Sequence, residues 1–492
     1  MQTVAYGTTN PAYNQEPPFH PDTHFPELPF QQVSRTPNAP YGLLRRLFAS
    51  LGFDAERRGT AKWNPLGHLI KPGQTVLIKP NFVLSFNAAG GDVFSVVTHP
   101  SILRALVDYA FLALCGMGRI IIADVPQMEC QWDELMHHQR LDSIQEFYAN
   151  QFKFPIEVYD LRNFALINPR ELALAGNRKN LAGDPAGSVV INLGRRSHFH
   201  GLPNENHYGA DFNRQETIAH HHGETQEYCV SRTMLAADVL LFAPKMKTHK
   251  KVGVTLNIKG LVGMNTNKNY LIHYRLGTPS TGGDQLPDAE RGAENVLVRA
   301  QRWAWDNLLA RQSSGGDRLY RAAVGFYRKA VKPFIRLSND TVNLDGGNWH
   351  GNDSAWRMTA DLAKILYYAD VTGKLAETPQ RKLFCLVDGI IAGEGFGPLS
   401  PVPRPCGCLV AGLNPFAVDL VTTRLMGFDP RKLHQFDIAF SPDWDFGLRS
   451  LGDIEIHDGE RTLAGADFFA PERRDPHFAF TPSPGWKGHI EI

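Results

Sequence analysis

The sequence predicts an α/β fold, a parallel or mixed sheet with flanking helices, and three observations carry that reading. The runs from Thr75 to Val83 and from Arg119 to Pro126 are β-branched and largely apolar, as strands covered on both faces are. Between them, Pro100 to Cys115 has apolar residues at helical spacing. Strand, helix and strand in that order form a βαβ unit with a right-handed crossover. The alternation then returns late in the chain. A helix over Ser354 to Tyr368 leads to a strand over Lys382 to Asp388, and a strand over Cys408 to Gly412 leads to a helix over Pro415 to Met426.

The remaining elements follow in order. Residues 1–40 read as an extended arm, because prolines punctuate them and no period persists. A short helix from Tyr41 to Leu51 precedes the first strong strand. Further strands are expected at Ile156 to Leu161, Ser188 to Leu193 and Asp238 to Pro244. Residues 194–232 are irregular and rich in histidine, as a functional loop or insertion would be. Residues 289–335 read as helices that cap the sheet or meet another subunit, so an oligomer is expected through them. The division is therefore an arm (1–40), an α/β core with a basic motif and a His-rich loop (41–285), a helical insertion (286–350), the C-terminal part of the core (351–430) and a peripheral tail with small β elements (431–492).

Composition removes several function classes. Lys plus Arg number 51 against 50 Asp plus Glu, a net charge of +1, which does not suit a polyanion-coating protein or an acidic scaffold. No nucleic-acid partner is expected, since the one basic segment lacks interleaved aromatics on which bases stack. No apolar stretch approaches the roughly 20 residues of a membrane span, and no secretory signal is visible, so a cytoplasmic protein is expected. Six scattered cysteines are no disulfide framework in a chain of 492 residues. Cys406-Gly-Cys408 stands too alone for an iron–sulfur cluster. Dinucleotide, Walker A and nucleophile-elbow signatures are absent.

The chemistry concentrates in the window from Pro244 to Asn265. No acidic residue occurs between Asp238 and Asp284, whereas Lys245, Lys247, Lys250, Lys251, Lys259, Lys268 and Arg275 accumulate there. One sign of charge directly after a strand points to a focused site for a small anionic ligand bearing phosphate or carboxylate. A solvated lysine face is the alternative. Gly253 and Gly263 let the backbone approach a ligand, Thr255 and Asn257 add polar groups, and amides of a following helix N-terminus would strengthen the pull. His249 is the candidate acid/base, with Lys245, Lys247 and Lys259 neutralising the anion. Asp388 ends its expected strand and Glu394 sits in a Gly-rich loop; carboxylates there would position a cation or a hydroxyl, or serve only the turn. In the His-rich loop, His220 and His222, with Asp124 at the end of a strand, are candidate ligands for a divalent metal; a solvated, pH-responsive loop is the other reading.

These residues also carry a resemblance. Ile78-Lys79-Pro80-Asn81, Thr98-His-Pro100, Asp124-Val-Pro126, Pro244-Lys-Met-Lys-Thr-His249, Lys259-Gly-Leu-Val-Gly263, Asp388-Gly-Ile390 and Asn414-Pro-Phe-Ala-Val-Asp419 resemble the family called domain of unknown function 362, over roughly residues 75 to 430. The resemblance implies an α/β core and places Lys79 and Asn81 beside the basic window as ligand-binding candidates, but implies no settled reaction. Some relatives look fused to a four-iron segment whose cysteines this chain lacks. More distantly, His249, Gly253, Thr255 and Lys259 are similar in spacing to a window of the lactate racemase family, whose lysine carries a nickel-pincer nucleotide. This chain departs from that pattern at Asp124-Val-Pro-Gln127 and at His273. The function expected is an enzyme with an anionic small molecule or nucleotide-like cofactor in a Lys/His/Asp/Glu pocket. The alternative is a non-catalytic metal- or cofactor-binding accessory protein.

Overall fold

Side chains of a strand alternate between the two faces of its sheet, and the buried runs seen in the sequence divide in that way. In the computed structural model Val76 and Ile78 enter one apolar core and Leu77 the other; Ile120 and Ile122 divide from Ile121, and Val239 and Leu241 from Leu240, in the same manner. The structure describes residues 1–169, 177–210, 213–290, 344–473 and 478–492, with ten further residues between 303 and 322. The helical insertion expected over 286–350, and with it the oligomer contact through 289–335, falls largely outside the described residues.

The central sheet has eleven strands: β1 (Gln2–Thr8), β2 (Thr75–Pro80), β3 (Arg119–Asp124), β4 (Ile156–Asp160), β5 (Val239–Ala243), β6 (Lys245–His249), β7 (Gly253–Val254), β8 (Lys382–Glu394), β9 (Val402–Gly412), β10 (Ile454–His457) and β11 (Thr462–Ala464). Their order is β11-β10-β1-β9-β8-β5-β2-β3-β4, with β6 pairing β7 and β8 off this path. The run β8-β5-β2-β3-β4 is parallel, and β9 is antiparallel to β8 and to β1. Helices α1 (Ala39–Ser50) and α2 (Pro100–Leu114) cover one face, where α3 (Trp132–Gln139) and α4 (Leu141–Phe152) join them. Helices α6 (Ala355–Tyr368) and α7 (Pro415–Leu425) cover the other, with the short α5 (Leu256–Gly260) between them and β6. Proline at N1 and the His99 ring, which accepts the Ser101 amide at 3.1 Å, start α2. Among the described residues no helix is long and apolar enough to cross a membrane.

Two sequence expectations change. The stretch 1–40 is not an extended arm. Its first residues form β1, paired with β9 at Ala5 and Ala411, and Val4 and Ala5 are buried. The Pro-rich part is tied by side chains instead of by a regular ladder: Asn38 Nδ2 donates to the carbonyls of Phe19 and His20 at 3.1 and 2.8 Å, and Asn14 Nδ2 donates to Ser34 Oγ at 2.7 Å. The tail after 430 is likewise integral. Strand β10 pairs β1 in parallel, and Phe436, Phe446 and Trp486 complete the core beneath α6 and α7.

Connectivity places a crevice. From β2 the chain moves to β3 and β4 on one flank, then returns as β5 on the other. Loops leaving the carboxyl ends of β2 and β5 therefore diverge, and such switch points are where open α/β sheets bind ligands.

Candidate functional site

Pro244 has no amide hydrogen to continue the ladder, and the chain changes partner there. Past it, β6 leaves β2 and pairs with the distal half of β8, Lys245 opposite Asp388 and Lys247 opposite Gly393. Alternation sets Lys245, Lys247 and His249 on one face of β6, in a row that runs from the sealed interior toward the crevice.

The next turn is built by close packing. Gly253 has φ +83°, and a Cβ there would stand 2.5 Å from Leu433 Cδ2. Leu256 also takes a positive φ, 44°, which costs a residue with a Cβ about 1–2 kcal/mol. That unfavourable turn is held by Asp419 of α7, whose carboxylate accepts the Asn257 amide (3.0 Å), the Ile258 amide (2.8 Å) and Asn257 Nδ2 (2.6 Å). The amides that the sequence offered to a ligand are therefore taken by Asp419. Their effect is to fix α5, and so to fix Lys259.

Lys259 projects into a cavity of about 360 Å³ at the switch point. Six lysines line it (Lys79, Lys247, Lys250, Lys251, Lys259 and Lys268) against three acids, Asp124, Glu129 and Asp345. Lys79 Nζ and Asp124 Oδ1 form a buried ion pair at 2.8 Å, and Asp124 also accepts the Phe82 and Val125 amides at 2.7 and 2.9 Å. Gly263 makes room for this pair, since a Cβ there would lie 2.2 Å from Asp124 Oδ1 and 2.6 Å from Lys79 Nζ. Lys268 is held by the carbonyls of Val125 and Val262 at 3.0 Å each and of Asn265 at 3.3 Å, and Lys247 donates to the Val96 carbonyl at 2.5 Å. Among the described residues the Lys259 amine has no hydrogen-bond or ion-pair partner. Burial alone lowers its pKa to about 7; burial first, with smaller effects of neighbouring charges, brings Lys268 to about 7 as well. Among the described residues two side-chain oxygens of the lining, Asn81 Oδ1 and Thr255 Oγ1, are buried without a hydrogen-bond partner. Buried polar groups of that kind are uncommon and call for a reason.

His249 and His273 line the same cavity, and their backbone contacts assign complementary tautomers. His249 Nδ1 accepts the Lys251 amide at 3.0 Å, so its proton sits on Nε2. His273 Nδ1 lies 3.1 Å from the Leu271 carbonyl, to which it can only donate, so its Nε2 carries a lone pair. Burial, then the Lys259 charge, holds both pKa values well below the usual 6.5, and both rings are neutral. Neutral His249 thus presents a hydrogen-bond donor at Nε2, and neutral His273 an acceptor at Nε2.

Of the residues singled out in the sequence, His249, Lys259, Lys247, Thr255, Gly263, Lys79, Asn81 and Asp124 come together here. Others do not. Asp388 and Lys245 are fully buried against each other at 2.6 Å, away from the cavity, because β8 continues through Asp388 to Glu394 and makes it a mid-strand residue. Tyr13 completes that cluster: its hydroxyl donates to Asp388 Oδ1 at 2.6 Å and accepts from Lys245 Nζ at 2.8 Å. Glu394 accepts the Thr481 amide at 2.8 Å and faces Arg404 at 3.5 Å, so it ties down the tail. Gly253 and Asn257 shape the turn and its cap. His220 pairs with Glu227 at 2.7 Å and stacks on Tyr270, His222 is exposed on a separate three-stranded sheet, and Asp124 belongs to Lys79. Among the described residues no three His, Cys, Asp or Glu side chains gather in a way that could hold a metal ion. Lys268 and His273 received no role in the sequence reading, although the acid-free window running on to Arg275 contains both.

Comparison with known proteins adds one relation. The model of a family described as a domain of unknown function, DUF362, matches residues 182–424. That span holds β5 to β8, α5 and most of the cavity's cationic wall, and leaves Lys79, Asn81 and Asp124 outside it. No curated protein matches the chain.

Proposed function

We propose that this chain, which carries a DUF362 domain over residues 182–424, is an enzyme that binds a small phosphate- or carboxylate-bearing molecule at the switch-point cavity. One observation supports this above the others. The acid-free segment folds so that its lysines line a cavity with too few acids to balance them. An anion would supply the missing charge, and burying one there is favourable because the cations are already desolvated and fixed. Lys268 and Lys247, held by carbonyls, would set the anion's position. Lys259, His249 and His273 would act on the neighbouring atoms, as amine, hydrogen-bond donor and base.

Thermal unfolding in inorganic phosphate tests the reading. Phosphate at about 100 times its Kd stabilises the folded state by about 2.7 kcal/mol, seen as a raised Tm. Lys259→Ala is expected to lose that shift. Equal shifts in the variant and the parent protein would remove Lys259 from the site, and no shift in the parent would remove the anion site itself.

A further inference from the structure

Among the described residues Lys79, Lys247 and Lys268 each donate to a carbonyl or carboxylate, whereas the Lys259 amine has no hydrogen-bond or ion-pair partner and, unlike the partly exposed Lys250, is buried as deeply as they are. A lysine needed only for its charge gains from such partners, whereas a lysine needed for its lone pair must be free of them. The groups beside it suit the second use, with the Nε2–H of His249 on offer as a donor and the Nε2 lone pair of His273 on offer as an acceptor.

We infer that Lys259 is a nucleophile that condenses with the carbonyl carbon of a small anionic oxo compound, an aldehyde or ketone bearing a carboxylate or phosphate, to form an imine. The inference rests on the anion-site reading above and names its substrate class. In the step, the Nζ lone pair forms the C–N bond while the carbonyl π pair moves onto oxygen, which the His249 Nε2–H hydrogen-bonds. His273 Nε2 takes a proton from Nζ and returns it to that oxygen, giving the carbinolamine. A second transfer by the same route lets the hydroxyl leave as water and leaves C=N. Both amine protons end on the water, so the step needs no oxidant, reductant or further reactant. Near neutral pH the amine is substantially uncharged, its pKa being about 7, and can begin the reaction without prior deprotonation.

The experiment is reductive trapping on the full chain. Glyoxylate and sodium cyanoborohydride are added near neutral pH, and carboxymethylated lysines are mapped by mass spectrometry over time, with and without inorganic phosphate. The expected result is labelling of Lys259 about tenfold faster than of the surface lysines, whose amines are almost wholly protonated, and suppression of that label by phosphate. Lys259→Arg is expected to lose the fast site; the comparison among lysines of the parent protein stands even where that variant does not fold. Even labelling across the lysines, with phosphate still raising Tm, overturns the imine and leaves the anion site in place. Even labelling with no phosphate-dependent Tm overturns both.

Discussion

Lys245 and Lys259 lie on one short stretch of chain, both deeply buried, and meet opposite surroundings. Around Lys245 the fold brings an acid from β8 and a phenol from the N-terminal segment, and the ammonium is bonded to both. Around Lys259 it brings two neutral imidazoles and other lysines. Burial presses on both amines; for Lys245 the charge of Asp388 and its hydrogen bond oppose that pressure, and for Lys259 nothing does. The difference separates two uses of a buried cation. A compensated pair contributes to architecture, joining β6, β8 and residue 13. An uncompensated amine lowers stability, and such groups collect at functional sites.

The largest effect is expected at the compensated cluster. Asp388→Ala leaves Lys245 buried without its carboxylate and should lower the unfolding free energy by about 3–5 kcal/mol in urea denaturation, while the folded fraction keeps its phosphate response. Asp419→Ala comes next. It releases the cap that holds α5 and the turn at Leu256, so a loss of about 2 kcal/mol is expected together with weaker phosphate binding, which Asp388→Ala should not cause. Tyr13→Phe removes one hydroxyl from the Lys245 cluster and should cost about 1 kcal/mol with the phosphate response unchanged. Smallest, and opposite in sign, is Lys259→Met. It replaces an unpartnered amine by an apolar chain of similar length and, measured near pH 10, where the folded amine is neutral and the unfolded one approaches neutrality, should raise stability by about 1 kcal/mol while the phosphate response disappears.

The pH dependence sharpens the last case. Lys259 has a folded pKa of about 7, below its unfolded value of about 10.4. Between those limits the unfolded chain binds more protons than the folded one, so stability rises with pH across this window. Lys268 acts in the same direction. Each group contributes at most about 1.4 kcal/mol per pH unit, and Lys259→Met should flatten the slope of unfolding free energy against pH by one such contribution.

The parallel strands and the βαβ unit could be read from the sequence because burial on both faces leaves a continuous apolar run, and the switch point follows from strand order. The basic wall was legible as well, since one sign of charge over more than forty residues survives any folding. What escaped depends on distant partners. Strand β1 is recognisable only beside β9, some four hundred residues on. Asp388 reads as a strand-end carboxylate because the apolar run ends at it and a Gly-rich loop follows, whereas β9 pairs with β8 beyond it and keeps it extended. The opposite tautomers of His249 and His273 are set by the Lys251 amide and the Leu271 carbonyl, contacts that spacing alone does not reveal. The histidines of the 194–232 segment suggested metal ligation by proximity in sequence, but His220 and His222 end on opposite sides of a strand start, one paired to Glu227 and one exposed.

The proposed anion site turns on the charge state of the Lys259 amine. The most direct measurement is an NMR titration of the lysine amines after reductive ¹³C-methylation, with Lys259 assigned by its absence in Lys259→Arg. This amine is expected to titrate near 7, and to move upward when phosphate fills the site and favours the charged form. Titration at the ordinary lysine value of about 10.4, unmoved by phosphate, would contradict it.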